Sequence, residues 1–308
     1  MRIIFMGTSD FAIPALEKIL CDNEHQLIAL YTKEPSIAGR GNKIQYSAIH
    51  NFAINNNIKI STPKTLKDSH IQEEFKNLKP DLAVIVSYGL ILPKEILKIP
   101  KYGCFNIHPS NLPFYRGSAP LQRSIMNDEK DSAVCIIKMD SGVDSGDIVN
   151  RKKFIIKDDD NFLTISKKTS EIGAELIMKT IKEINYGKLE FESQDHQKST
   201  YANKIEKNES LIDFNKSCRE IFNKVRALRG NLDAHMIYNN EKIKILECQI
   251  VETTPNHDYV GIIVDNEFSI GCGNGIIKPK IVQKAGKKPI FLKDFLNGFK
   301  FIIGEKVQ

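Results

Sequence analysis

The side chains best suited to chemistry in this 308-residue chain lie between Asn106 and Asp147. Asn106 and His108 are two apart at the end of an apolar run, Cys104 to Ile107 (CFNI). In a strand that spacing turns both side chains to one face. A carboxamide is a neutral donor that can stabilise a developing oxyanion. An imidazole can accept or relay a proton near neutral pH. Asp144 follows in SGVDSGD, a loop punctuated by Gly142 and Gly146, where it could hold a water and steer the histidine. These three residue types suffice for acyl transfer to an amine without a covalent intermediate. Spacing alone leaves a plainer account open: Asn-x-His also ends ordinary strands, and Asp in a Gly-Ser loop also forms ordinary turns.

The elements that must position this trio are legible as alternating strands and helices. Arg2 to Met6 (RIIFM) is a short apolar strand closed by Gly7-Thr8-Ser9-Asp10. Helical spacing follows through Phe11, Ala15, Leu16, Ile19 and Leu20, with Pro14 in the first turn, where its missing N–H does little harm. Gln26 to Tyr31 is a second strand and Ile58 to Ile60 a brief third. Asp81 to Ser87 (DLAVIVS), bounded by Pro80 and Gly89, is the continuous apolar run of a strand buried on both faces of a parallel sheet. This rhythm implies an open α/β sheet, and such sheets bind ligands beyond the carboxyl ends of their strands. Past Tyr201 the pattern changes. Ser210 to Leu228 has apolar residues at helical intervals. Short strand-like runs follow at Ala234–Tyr238, Ile243–Leu246, Tyr259–Val264, Phe268–Ile270 and Gly275–Ile281, separated by Asn-Asn, Asn-His-Asp, Asp-Asn and Gly-Asn-Gly turn chemistry. They predict a small β-barrel or curled sheet. The boundary falls in the polar stretch 201–209, giving domains 1–203 and 204–308.

Composition narrows the classes of function. Hydrophobic residues make up 41% and charged residues 27% of the chain, an ordinary globular balance. No apolar run approaches the roughly 18–20 residues that span a bilayer, and the N-terminus lacks a signal-peptide cleavage site. The expectation is a cytoplasmic protein with no membrane partner. Cys21, Cys104, Cys135, Cys218, Cys248 and Cys272 are scattered singly, without zinc-ligand spacing, so no metal is expected. GTSDF after the first strand lacks the glycine spacing of a dinucleotide fingerprint. The net charge is +6, and Lys278 to Lys300 holds seven lysines against one acid, Asp294. A patch of that kind attracts polyanions, although most lysine runs are solvated faces.

The run from Asn106 through HPSNLPFYRG, with Asp144 in SGVDSGD downstream, resembles the signature of the folate-dependent formyltransferases. AGRG (Ala38 to Gly41), SYGLILP (Ser87 to Pro93), APLQRSI (Ala119 to Ile125), GNGI (Gly273 to Ile276) and QKAGKKP (Gln283 to Pro289) look like the branch of that family that formylates methionyl-tRNA. The likeness runs nearly end to end. It implies a Rossmann-like formyltransferase domain with a mostly parallel sheet, followed by a small OB-like β-barrel that binds tRNA. Asn106, His108 and Asp144 would be catalytic, and 10-formyltetrahydrofolate the co-substrate, with its pteridine near Ser110, Asn111, Leu112 and Pro113. The family often has a small residue where Pro109 stands and usually Leu at the Asn111 position, which leaves the pterin a backbone contact there. The acceptor would be the α-amino group of methionine on initiator tRNA. The insertion Thr32 to Tyr46 would reach the acceptor end through Arg40 and Lys43, and Lys287 and Lys288 would follow the stem by salt-sensitive contacts. A monomer is expected.

Two rivals remain from the sequence. A relative that formylates a small amine, such as glycinamide ribonucleotide or an amino sugar, would use the same trio. A nucleotide-pathway enzyme would match only the first domain, however, and a bifunctional sugar-modifying one would run on past Gln308. A non-catalytic RNA-binding module would use the barrel and lysines and leave the trio without a purpose.

Overall fold

The computed structural model describes residues 1–38, 43–252 and 259–308. They form two compact units. The first holds residues 1–117, 131–154 and 166–202, and the second holds 118–130, 155–165 and 203–308. The tip of the Thr32–Tyr46 insertion and the Asn-His-Asp turn lie outside the described residues.

The first unit is built on a seven-stranded sheet. Its strands are β1 (Arg2–Gly7), β2 (Gln26–Tyr31), β5 (Ile60–Ser61), β6 (Leu82–Val86), β7 (Cys104–His108), β8 (Asp131–Lys138) and β9 (Ile148–Ile155), in the order β5-β2-β1-β6-β7-β8-β9. Every pair from β5 to β7 is parallel, and β8 turns antiparallel to β7. Two further strands, β3 (Ser36–Ala38) and β4 (Lys43–Gln45), make a separate antiparallel hairpin. The insertion expected to be a loop is therefore paired at its base.

Helices α1 (Ile13–Leu20), α2 (Ala48–Asn55), α3 (Ser69–Asn77), α4 (Lys94–Leu97) and α6 (Phe162–Asn185) accompany this sheet. Burial follows the strand alternation. Ile4 and Met6 of β1, Ala83 and Ile85 of β6, and Cys104 of β7 pack with Phe75 of α3 and Ile96 of α4. On the other face of β7, Ile107 lies under α6. A Cβ on Gly173 would stand 2.5 Å from the Ile107 side chain, so only glycine lets the helix approach so closely. All five residues of β6 are buried, as the uninterrupted apolar run requires.

The second unit carries a five-stranded antiparallel sheet. It consists of β10 (His235–Tyr238), β11 (Glu241–Glu252), β12 (Ile270–Cys272), β13 (Gly275–Lys284) and β14 (Ile290–Phe291). Asn239 and Asn240 both take positive φ, the two-residue turn that joins β10 to β11. Register shifts at Ile245/Glu247, Glu247/Cys248 and Ile250/Glu252 bend β11 against β13, and such bulges curl a sheet into a half-barrel. Helices α5 (Pro120–Met126), α7 (Cys218–Leu228) and α8 (Leu292–Leu296) belong to this unit, and Ile221, Val225 and Leu228 of α7 join Met236, Ile243 and Ile245 in its core.

Several sequence expectations are corrected. The helix predicted from Ser210 starts only at Cys218. Asp213 accepts from the backbone N–H of Asn215, and Ser217 and Glu220 form a reciprocal capping box, so polar side chains hold Leu211 to Ser217 out of the helix. Tyr259 to Val264 makes isolated bridges rather than a strand. The strand expected at Phe268 begins at Ile270, after Phe268 takes a φ of 60°. The neighbouring strands β8 and β9 and the 24-residue helix α6 have no counterpart in the sequence reading.

Candidate active site

Asn106 and His108 lie at the carboxyl end of β7, on the face opposite Ile107. Asp144 comes from the connection between β8 and β9, with a φ of 47°. The three meet. The Asn106 amide donates to Asp144 Oδ1 at 3.1 Å, and His108 Nδ1 stands 3.5 Å from Asp144 Oδ2. The backbone N–H of Gly117 donates to the same Oδ2 at 2.9 Å. Gly117 has a φ of +116°, and a Cβ there would press on the Ala202 carbonyl at 2.9 Å, so glycine is what brings this donor within reach.

The donor inventory limits what each group can still do. Asn106 has two amide protons and uses one on Asp144, which leaves the other for an incoming oxygen. His108 is 3% exposed, and its Nε2 faces the Tyr115 carbonyl at 3.0 Å. Both ring nitrogens therefore face acceptors, and the ring donates at both only when protonated. Asp144 keeps 15% of its side chain exposed, and Asn106 is likewise partly exposed, so solvent reaches the trio through these two rather than through the buried His108.

The Ser110–Pro113 loop forms one wall of the site. Ser110 is fully buried and donates to the Phe114 carbonyl at 2.7 Å. Leu112 is 1% exposed and packs with Ala133, Cys135, Ile137 and Ile148. Its carbonyl accepts from Arg151 at 3.0 Å, and the Leu112–Pro113 bond is cis. These two side chains shape the loop from within, so a ligand would meet backbone there. Asn111 differs: its Oδ1 is buried with no hydrogen-bond partner among the described residues. The Cys135 thiol donates to the Ser110 carbonyl, and burial pushes its pKa up, so this wall offers no thiolate nucleophile.

The residues expected to touch nucleic acid are placed unevenly. Arg40 and the side chain of Lys43 lie outside the described residues. Lys287 and Lys288 are exposed at the turn between β13 and β14. The basic stretch is less bare than its composition suggests, because Lys278 pairs with Glu267, Lys280 with Glu247 and Lys284 with Glu241. Cross-strand partners of this kind are invisible to a charge count along the chain. No group of three or more metal-ligating side chains occurs among the described residues. Nor, among them, is any helix long and apolar enough to cross a membrane.

Sequence reasoning missed the residues behind the trio. Gly117, Arg116 and Gln194 have no periodicity to announce them, and only the short motif Tyr115-Arg116-Gly117 hinted at one end of the set. A cleft of about 780 Å³ lined by Lys76, Asp81, Glu95 and Lys101 sits where β6 begins, at the amino edge of the sheet and away from this chemistry.

A mostly parallel sheet that brings an amide, an imidazole and a carboxylate together at its carboxyl edge has the architecture of an α/β enzyme and residue types suited to group transfer. The chain belongs to the formyl transferase family, whose N-terminal domain matches residues 1–181 and whose C-terminal domain matches residues 204–300. A methionyl-tRNA formyltransferase of Sulfurihydrogenibium sp. (strain YO3AOP1) is 39% identical, covering 100% of both chains. Among solved structures, an N-formyltransferase from Helicobacter canadensis, in complex with folinic acid and dTDP-3-aminofucose, is similar at a TM-score of 0.68 and 24% identity, over 92% of this chain and 99% of that one. A methionyl-tRNA formyltransferase from Clostridium thermocellum is similar at a TM-score of 0.59 and 22% identity, over 82% and 94% respectively. At these identities the structural likeness speaks for the Rossmann-like and OB-like folds.

Proposed function

We propose that this chain transfers a formyl group from 10-formyltetrahydrofolate to the α-amino group of methionine on initiator methionyl-tRNA, for translation initiation, with Asn106, His108 and Asp144 carrying the transfer. The observation that carries the assignment is the contact of the Asn106 amide with the Asp144 carboxylate at the sheet's carboxyl edge, in a chain similar over its full length to methionyl-tRNA formyltransferases.

The folate supplies the one-carbon unit as an activated amide. Everything else falls to the protein's own side chains and backbone groups. The free N–H of Asn106 donates to the formyl oxygen as negative charge develops there. Asp144 takes the proton released by the attacking amine, directly or through a water, and passes it to the folate nitrogen as the bond from that nitrogen to the formyl carbon breaks, while Asn106 and the Gly117 N–H hold its oxygens in place. His108 faces the second Asp144 oxygen and, when protonated, balances its charge. Along Ser110–Pro113 the residues fit a pterin through backbone groups, and the unpartnered Asn111 Oδ1 is a buried acceptor suited to a ring N–H. On the nucleic acid, Arg40, Lys43, Lys287 and Lys288 make phosphate contacts, with the compact second unit as the tRNA-binding domain. The protein acts in the cytoplasm as a monomer.

The test is a transfer assay with 10-formyltetrahydrofolate and three acceptors: charged initiator tRNA, charged elongator methionine tRNA and an amino-sugar nucleotide. Formylation confined to the initiator is expected. Transfer to the sugar alone, or tRNA binding with no transfer at all, contradicts the assignment.

A further inference from the structure

Gln194 is 7% exposed in a stretch whose neighbours, Ser193 and Asp195, are exposed. Its amide nitrogen donates to two carbonyls of the Asp144 loop, that of Asp144 at 2.9 Å and that of Gly146 at 2.6 Å. Its amide oxygen accepts twice from Arg116, from Nε at 3.1 Å and from Nη2 at 2.7 Å. Carbonyls only accept and a guanidinium only donates, so the amide can sit one way round and no other.

Arg116 is 3% exposed, yet among the described residues it has no carboxylate partner. Its other side-chain contact is His196 Nδ1 at 3.0 Å. A buried cation ordinarily pairs with an anion. Here the charge acts instead on the Gln194 oxygen and polarises its N–H groups toward the loop. What that loop holds is costly to hold. Asp144 takes a left-handed backbone conformation, which aspartate tolerates better than most residues but which still costs something relative to the right-handed and extended regions. Neighbouring ties pin the loop's flank: Ser193 donates to Asp147 at 2.9 Å, and Ile148 and Glu192 exchange backbone hydrogen bonds. Among the described residues, only Gln194 reaches the carbonyl of Asp144 itself.

We propose that Arg116 and Gln194 are positioning residues for the formyl transfer, a buried cation and amide that fix the Asp144 backbone so that its carboxylate meets Asn106 and His108. The inference rests on the function proposed above and adds residues to it. Gln194→Glu separates positioning from mere packing. The substitution conserves shape and keeps a partner for Arg116, but it sets an oxygen against both carbonyls.

Kinetics and amide hydrogen exchange are measured on the full chain with the wild type, Gln194→Glu and Ser193→Ala. For Gln194→Glu, kcat is expected to fall about 100-fold, the scale of an ångström-level misplacement, while KM for both substrates stays within about threefold. Residues 140–147 are expected to lose exchange protection, whereas Ser193→Ala, which loses a tie only to the flanking Asp147 side chain, is expected to lower kcat by no more than about threefold. Unchanged kcat per folded molecule, or a raised KM at unchanged kcat, overturns the proposal. So does unchanged protection of the loop, which is read without any activity and therefore stands apart from failure of the functional assignment. Should Gln194→Glu not fold, Arg116→Lys, which keeps the charge and loses the forked pair, is judged by the same criteria.

Discussion

Two aspartates in this chain share a backbone conformation and little else. Asp144 in the first unit and Asp128 in the second both take positive φ, 47° and 59°. Asp128 is surrounded by cations. Its Oδ1 accepts from Arg219 at 2.7 and 2.9 Å, from Lys130 at 3.0 Å and from Asn223 at 3.1 Å. Burial works to raise its pKa, but the hydrogen bonds from Arg219, Lys130 and Asn223 overcome that and hold the carboxyl well below the usual range. Asp144 is held by an amide, a backbone N–H and a histidine that is charged only when protonated, and Arg116 acts on its loop through an intervening glutamine. The first arrangement locks a charge into the fold. The second fixes a position while keeping permanent cations off the carboxylate, which is what a group that must exchange a proton requires.

The comparison can be broken in several places. The largest effect is expected at the trio: Asn106→Ala should lower kcat about 10²–10³-fold, the usual cost of one oxyanion donor, with little change in folate affinity. Wild-type turnover would remove Asn106 from the chemistry. Next comes stability. Asp128→Asn should cost about 1–2 kcal/mol by denaturant unfolding, kept small because its side chain is partly exposed, and should leave kcat unchanged. Because the folded pKa of Asp128 is depressed, its contribution is complete above the unfolded value near 3.8 and is lost as pH falls below that. The variant should therefore flatten the acid limb of the stability–pH curve. An unaltered acid limb would show that Asp128 does not lock the fold. A smaller effect is expected on the second unit's surface. Lys287→Ala and Lys288→Ala should each reduce the slope of log K against log salt for tRNA binding by about 1, and identical slopes would take both lysines out of the interface. Smallest of all is alkylation of the native protein. It should modify Cys21, the one exposed cysteine, without loss of activity, because burial pushes thiols such as Cys104 up to about 12. Mass spectrometry that finds Cys135 labelled would contradict the closed wall of the site.

Much of this architecture was legible because it depends on local pattern. The apolar run of β6, the Asn-Asn turn after β10 and the shared face of Asn106 and His108 all follow from periodicity and turn chemistry. What was not legible depends on long-range closure. Asn106 and Asp144 are 38 residues apart, and nothing in SGVDSGD says that the loop folds back over β7. Gln194 and Arg116 are 78 apart, and a glutamine in a polar connector looks like any other. The late start of α7 shows a local rule overruled by another, as apolar spacing from Leu211 was outcompeted by Asp213 and Ser217 binding their own backbone.

The central claim is that the two aspartates divide labour, one for chemistry and one for the fold. Its most direct measurement is the single-turnover rate of formyl transfer to charged initiator tRNA, at saturating 10-formyltetrahydrofolate, for Asp144→Asn and Asp128→Asn side by side. The account predicts a rate lowered at least about 100-fold for Asp144→Asn and an unchanged rate for Asp128→Asn. Equal rates in the two variants would contradict it.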